Sequence, residues 1–279
     1  MLRRGPGSLY RRLVSLHFLL GRDRRAVLRF LATRYPIDLP ATRRLALVGR
    51  FVTTTNHVRA YHSQAELLAV ADRILRLAGQ PGLTVVEAGC GKGASTAKLS
   101  LVTALAGGHL HGFDSFRGVP PNDERDAHLD GRPVEFRAGA FRGRMAEVRR
   151  TVARFGVPSV CTLHRGWLAD TLPRFNRPID VALLDVDLVS STRTCLVHLV
   201  PRLRPGGVLF TQDGHLRGVV ALLGDHRFWR DEVGVAPPTI EGLGRRKLLA
   251  ISSRSARSPS PSWPRQRWVR GFTRLQYWK

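Results

Sequence analysis

The fold turns on one stretch: Leu83-Thr84-Val85-Val86-Glu87-Ala88-Gly89-Cys90-Gly91-Lys92-Gly93-Ala94. Residues 83–88 are a short, nearly continuous apolar run, which reads as a strand buried on both faces. Glycines at 89, 91 and 93 allow a tight turn from that strand into a helix over about 94–106. They also let the backbone approach a ligand whose electron-rich groups face the first N–H groups of the helix. Gly89, Gly91 and Ala94 equally satisfy a dinucleotide fingerprint, and Asp114 lies near the place of its ribose-binding acid. The turn alone therefore leaves open which nucleoside cofactor it serves.

Working outward, strands and helices alternate. Residues 62–79 form a helix opened by a Ser63/Glu66 capping box and closed by Gly79. Residues 110–113 are a second strand, 115–133 a polar loop, 144–155 a helix and 160–164 a strand. An apolar strand at 179–184, a helix at 190–203 and a strand at 208–211 follow. Helices fall around 215–233. Two strands near 239–241 and 247–251 are joined by Gly242-Leu243-Gly244, which reads as a hairpin. Apolar strands separated by helices mean a mostly parallel sheet covered on both faces. The first 55 residues read as an Arg-rich helical extension, 56–252 as the main domain, and 253–279 as a basic, Pro/Ser-rich tail carrying five aromatic residues.

The 279 residues carry a net charge of +24, and only four of the 45 basic residues are Lys. The excess sits at the ends: twelve Arg face Asp23 and Asp38 in residues 1–50, and residues 251–279 hold no acid. Basic ends suit an anionic surface, lipid or nucleic acid. No nucleic-acid-binding module accompanies them, and the preference for Arg throughout points equally to coding bias. No run approaches the ~18 apolar residues of a membrane span. The apolar stretch 13–20 lacks a small-residue cleavage site and reads as an amphipathic helix rather than an export signal. Cys90, Cys161 and Cys195 form no CxxC pair, which fits free thiols in a reducing cytoplasm.

A second motif, Leu183-Leu184-Asp185-Val186-Asp187, ends an apolar strand, and the next strand ends in Thr211-Gln212-Asp213-Gly214-His215. Adjacent parallel strands would bring Asp185 and Asp213 together at the carboxyl edge, where open α/β sheets bind ligands. Oxygen donors there suit Mg²⁺, which would acidify a substrate hydroxyl. The bland alternative is that Asp185 and Asp187 cap the next helix. Asp187 and His215 are the candidate proton acceptors. His109 and His111, at i, i+2 spacing, have no Cys or acid partner with ligand spacing, so zinc is not read there.

In this order the motifs resemble class I S-adenosylmethionine-dependent methyltransferases. More narrowly, the chain is similar to the macrocin-, mycinamicin- and novobiocin-type O-methyltransferases (the TylF/MycF/NovP-related group). The resemblance is carried by Glu87-Ala88-Gly89-Cys90-Gly91-Lys92-Gly93, Phe113-Asp114-Ser115-Phe116-Arg117-Gly118-Val119-Pro120 and Gly166-Trp167-Leu168-Ala169-Asp170-Thr171-Leu172-Pro173. It continues through Leu184-Asp185-Val186-Asp187-Leu188 and Pro201-Arg202-Leu203-Arg204-Pro205-Gly206-Gly207, and on to Gln212-Asp213. It implies a Rossmann-like fold, a seven-stranded and mostly parallel sheet with a terminal antiparallel hairpin. It implies methyl transfer from S-adenosylmethionine to a hydroxyl of a small molecule, of sugar or natural-product type; a homo-oligomer is a separate expectation. Glu87, Gly89, Gly91, Gly93 and Ser95 would line the methionine end of the cofactor. Asp114 and Ser115 would take its ribose, Gly166 and Trp167 its adenine side, and Asp185 would border it. Mg²⁺ would sit on Asp185, Gln212 and Asp213. The family usually shows Asp-Asp where this chain has Gln212-Asp213; an amide ligates through its oxygen but brings no charge. The Lys of catechol-type relatives, three residues after the metal Asp, is Leu188 here. The loop 115–140 and the N-terminal helices are expected to form the acceptor pocket. Two other readings are a nicotinamide-dependent oxidoreductase, which leaves the late acidic pair unexplained, and a nucleic-acid-binding or nucleic-acid-methylating protein using its basic ends.

Overall fold

The structure is a computed structural model that describes residue 21 and residues 23–252. The expected N-terminal amphipathic helix and the basic aromatic tail lie outside the described residues. Along the chain run α1 (Arg24–Ala32), α2 (Ala41–His57), α3 (Gln64–Arg76), β1 (Thr84–Ala88), α4 (Ala94–Ala106), β2 (His109–Asp114), α5 (Met145–Phe155) and β3 (Cys161–Arg165). Then come β4 (Ile179–Leu184), α6 (Val189–Leu199), β5 (Leu203–Thr211), α7 (Arg217–Gly224), β6 (Ile240–Glu241) and β7 (Leu249–Ser252). Seven strands make one sheet in the order β3-β2-β1-β4-β5-β7-β6. β3 to β5 are parallel across β2, β1 and β4, and β7 pairs antiparallel with both β5 and β6. The expected seven-stranded sheet with its antiparallel hairpin is what forms.

Alternation along each strand sends neighbours to opposite faces. Val85, Val181 and Val208 point into one core with Leu67, Ile74 and Leu99, while Val86, Ala182 and Leu209 point into another with Leu196, Leu222 and Trp229. The N-terminal helices are part of the first core: Phe30, Leu47, Val48 and Phe51 are buried in it. Every residue of β1 and β4 is buried, which is why both read as continuous apolar runs.

Local rules set the helix ends. Ser63 accepts from the N–H of Glu66 at 3.1 Å while Glu66 accepts from the N–H of Ser63 at 2.7 Å, completing the capping box of α3. Helix α6 starts without a side-chain cap of its own. Glu124, from the long loop, reaches over instead and accepts from Val189 and Ser190 N–H at 2.8 and 3.2 Å. Asp126 does the same for Gly218 at the start of α7. The polar loop is thus fastened by two carboxylates to two helix N-termini, where negative charge is favoured. It contains a small ribbon, Asp126–Ala127 against Pro133–Val134, that its polar composition concealed. Helix α6 is also shorter than expected. It gives way to a 3-10 turn at Val200–Arg202, where Pro201 cannot continue the α-helical hydrogen bonding.

Candidate active site

The chain steps from β1 outward to β2 and β3, then returns to the other side of β1 as β4. The strand order therefore reverses between β1 and β4, the place where an open α/β sheet leaves a crevice at its carboxyl edge. The glycine turn after β1 and the acidic run after β4 meet in that crevice. A Cβ on Gly89, whose φ is +90°, would lie 2.0 Å from the backbone oxygen of Asp185. Gly89 is thus required by close contact between the two motifs.

The other two glycines differ in their reasons. Gly93, at φ +84°, is the N-cap of α4, and its hydrogens face Val148 and Thr151 of α5. Gly91, at φ +50°, has open space where a Cβ would go, so its side of the loop is free to take a ligand. Asp114 holds the loop in shape: its carboxylate accepts from the N–H of Cys90 at 2.8 Å, Gly91 at 3.2 Å and Phe116 at 2.6 Å. Burial pushes its pKa up, and those three N–H donors pull it back. The Ser115 hydroxyl accepts from Arg117 N–H and donates to Gly118 O. Below the loop, Glu87 is wholly buried, and neither carboxylate oxygen has a hydrogen-bond partner. Burial raises its pKa to about 7, opposed in part by Ser95 and Thr96 nearby on α4. A buried, unsatisfied carboxylate is costly unless a cationic or donor group completes it. The amino group of S-adenosylmethionine is of that kind, so Glu87 fits the expected cofactor. Next to the loop a cleft of about 360 Å³ is lined by Ser115, Arg117, Arg165, Gly166, Trp167 and Asp170. It gathers three of the residues expected on the ribose and adenine side.

The acidic corner forms as expected. Asp185, Asp187 and Asp213 bring carboxylate oxygens within 4.8 Å of one another, alone in doing so among the metal-ligating clusters of the described residues. Burial raises all three pKa values, Asp185 to about 6 and Asp213 to about 7, and mutual repulsion adds to it for Asp187 and Asp213. Asp213 accepts from Val186 and Asp187 N–H, both at 3.2 Å, which bends the run after β4 and leaves Asp187 at φ +62°. Gln212 beside it has both amide atoms buried without a partner. Three clustered hard oxygen donors with an unsatisfied amide fit a divalent cation. His215 donates from Nδ1–H to Gln212 O at 3.2 Å and stacks on His128, ring centroids 5.3 Å apart. Burial first, then Lys247 and His128, lower its pKa to about 4, so it is neutral at pH 7.

Several neighbours of this corner escape a reading of local motifs. Lys247, just before β7, donates to the Tyr61 carbonyl at 2.8 Å, and its charge faces Glu66, Asp185, Asp213 and Asp187. Tyr61 lies in the link between α2 and α3, and Asp187 and Asp185 both act on its phenol. The only sequence signal was rarity: Lys247 is one of four lysines. His109 and His111 do stand on one strand, with His111 Nδ1 3.0 Å from His164 Nε2, but no third ligand joins them among the described residues.

A sheet of this order, with a glycine turn and an acidic corner at its switch point, has the class I methyltransferase fold. A family profile described as "Methyltransferase domain" matches residues 86–214, which contain both motifs. A Streptomyces olivaceus protein, 8-demethyl-8-(2,3-dimethoxy-alpha-L-rhamnosyl)-tetracenomycin-C 4'-O-methyltransferase, is 27% identical over 223 residues, covering 77% of this chain and 84% of that protein. Among solved structures, the O-methyltransferase NovP superposes with a TM-score of 0.57 at 19% identity, over 71% of this chain and 84% of that one. The calicheamicin methyltransferase CalS11 superposes at 0.54 with 17% identity, over 90% and 94%. Residues 86–214 thus carry a methyltransferase domain, and the sheet around them has the fold of these O-methyltransferases. The nicotinamide oxidoreductase reading is set aside.

Proposed function

We propose that the enzyme methylates a sugar hydroxyl of a glycosylated small molecule, with a divalent cation held by Asp185, Gln212 and Asp213. The observation that carries this is the contact between Gly89 and Asp185, which sets the cofactor turn directly against the acidic corner. A methyl donor on one side then faces an acceptor hydroxyl on the other. The rhamnosyl substrate in the name of the Streptomyces olivaceus relative supports a sugar as the acceptor.

S-adenosylmethionine would supply an electrophilic methyl group, and Mg²⁺ would lower the pKa of the acceptor hydroxyl. The protein's own part is placement. Glu87 would meet the cofactor's amino group, the Gly91 backbone would take its methionine end, and Ser115, Gly166 and Trp167 would line its nucleoside, while Asp114 keeps the turn rigid. Holding two reactants in line in this way removes most of the entropic part of the barrier. The proton from the acceptor has two receivers. One is a carboxylate oxygen of Asp187. The other is Nε2 of His215, left as an acceptor when Nδ1–H donates to Gln212 O. We place the enzyme in the cytoplasm, which the three free cysteines Cys90, Cys161 and Cys195 favour. Among the described residues no helix is long and apolar enough to cross a membrane. An Arg-rich extension (1–55) whose described helices pack into the core of the catalytic domain (56–252), and a basic tail (253–279), complete the proposal, with self-association and contact of the basic ends with anionic surfaces.

The test is product mass. The protein is incubated with S-adenosylmethionine and a panel of rhamnosides and other glycosides, with Mg²⁺ or with EDTA. A product one methyl heavier, lost in EDTA, is expected. Methylation of aglycone phenols alone, or of glycosides at full rate in EDTA, would overturn the acceptor or the metal part respectively.

A further inference from the structure

Two lysines flank the segment that links α2 to α3, and neither has a role in the reading above. Lys98, on the second turn of α4, is 0% exposed. Its ammonium lies 2.6 Å from the Thr55 hydroxyl and 2.9 Å from His62 Nε2, with the Phe51 ring centroid at 5.7 Å. Among the described residues no carboxylate is within ion-pair distance of it; Asp23 is the acid whose charge it feels. Lys247 reaches the same segment from the approach to β7 and donates to the carbonyl of Tyr61, the residue before His62. Tyr61 itself is 42% exposed. Its ring packs edge-on against Phe141 at 4.9 Å, and the Arg59 guanidinium stands 5.1 Å from its centroid.

Burying an ammonium without a counter-ion is expensive, and a position needed only for packing is better served by Leu or Met. This chain uses Lys four times against 41 Arg. Where it departs from Arg, a compact head that can be buried and aimed at single acceptors is what a lysine offers and an arginine does not. Lys98 and Lys247 both spend that head on consecutive residues, and they come from unconnected parts of the fold. One rides on the helix that begins at the cofactor turn; the other sits on the approach to β7, where its charge also faces the acidic corner.

We propose that Lys98 and Lys247 are positioning residues for methyl transfer, pinning the Tyr61–His62 segment so that the Tyr61 ring stands as a fixed wall beside the acidic corner. The clamp ties three parts that must be in register when the methyl moves: the cofactor helix, the acidic corner and the N-terminal cover. It rests on the O-methyltransferase reading for its purpose, but its existence is testable separately.

The test uses the full chain with Lys98→Met, Lys247→Met and Lys247→Arg, and the double variant His62→Leu/Lys98→Met, which keeps the core apolar should the single change fail to fold. Amide hydrogen exchange of residues 58–63 is expected to quicken at least tenfold in both Met variants and in the double variant, with β1 and β4 unchanged. S-adenosylhomocysteine affinity, by calorimetry, should stay within threefold of wild type. With methyl α-L-rhamnoside as the acceptor probe, KM should rise at least tenfold and kcat change less, and Lys247→Arg should recover part of the loss. Folded variants with wild-type exchange at 58–63, or unchanged KM despite faster exchange, would overturn the proposal. Wild-type protein that fails to bind S-adenosylhomocysteine would instead sink the parent reading, and the exchange result would still decide the clamp.

Discussion

Gly89 and Gly91 lie two residues apart in one turn, both at positive φ, yet the structure gives them different duties, and alanine separates these. At Gly91 the added methyl meets nothing within 4 Å. Its cost is then the left-handed backbone alone, about 1–2 kcal/mol. At Gly89 the methyl carries that cost and also overlaps the Asp185 carbonyl at 2.0 Å, which belongs to backbone and cannot rotate away. Overpacking of this kind adds about 1–3 kcal/mol, so Gly89→Ala should lose about 2–5 kcal/mol in total. For a protein of this size each kcal/mol lowers Tm by about 2–4 °C, so Gly91→Ala should melt roughly 2–8 °C low and Gly89→Ala roughly 4–20 °C low. Binding should rank the folded variants differently. Gly91→Ala fills the open side of the turn, so S-adenosylhomocysteine should bind at least tenfold more weakly, about 1.4 kcal/mol. Scanning calorimetry and titration calorimetry on the two variants decide it. A Gly89→Ala protein that melts with wild type would refute the contact between the turn and the acidic corner. A Gly91→Ala protein that binds at wild-type strength would refute the placement of the cofactor.

Other consequences are checked as directly. Asp213→Ala should reduce methyl transfer at least a hundredfold, while S-adenosylhomocysteine affinity stays within threefold; unaltered turnover would take Asp213 out of the acceptor corner. Glu87 is pushed by burial from 4.5 to about 7. Its native form therefore holds a proton that the unfolded form releases above pH 4.5. Stability from this group is complete below pH 4.5 and is lost as pH rises through 7, by about 3 kcal/mol across the window. Asp185 and Asp213 add a loss of their own in this window, so denaturant titrations at pH 5 and pH 8 should show a fall larger in wild type than in Glu87→Gln by about 2–3 kcal/mol, and equal falls in the two would be the contrary result. Trp229 is fully buried and donates from Nε1 to Leu223 O at 2.8 Å, so Trp229→Ala should cost about 3–5 kcal/mol in urea unfolding without altering residual cofactor affinity. Ser63→Ala removes half of the α3 capping box and should cost about 1 kcal/mol by the same measurement.

What could be read from the chain, and what could not, follows from range. The sheet was legible because β1 and β4 are buried on both faces and must be apolar throughout, and because the turn at 89–93 admits little but glycine. The pairing of Asp185 with Asp213 was legible for a similar reason. Both end strands of one parallel sheet, and adjacent strand ends share an edge. Asp114 was legible in position, and a loop-capping Asp was one of its two readings, but its three N–H donors come from turn geometry that no spacing rule records. Lys247 and Lys98 showed nothing beyond their own rarity. Their partners, Tyr61 O and His62 Nε2, lie 186 and 36 residues away, and one of those partners is a backbone carbonyl that no sequence pattern marks. A side chain that acts on another residue's backbone leaves no trace in local composition except its own identity. In a chain that otherwise chooses Arg, the identity of those two residues was the trace.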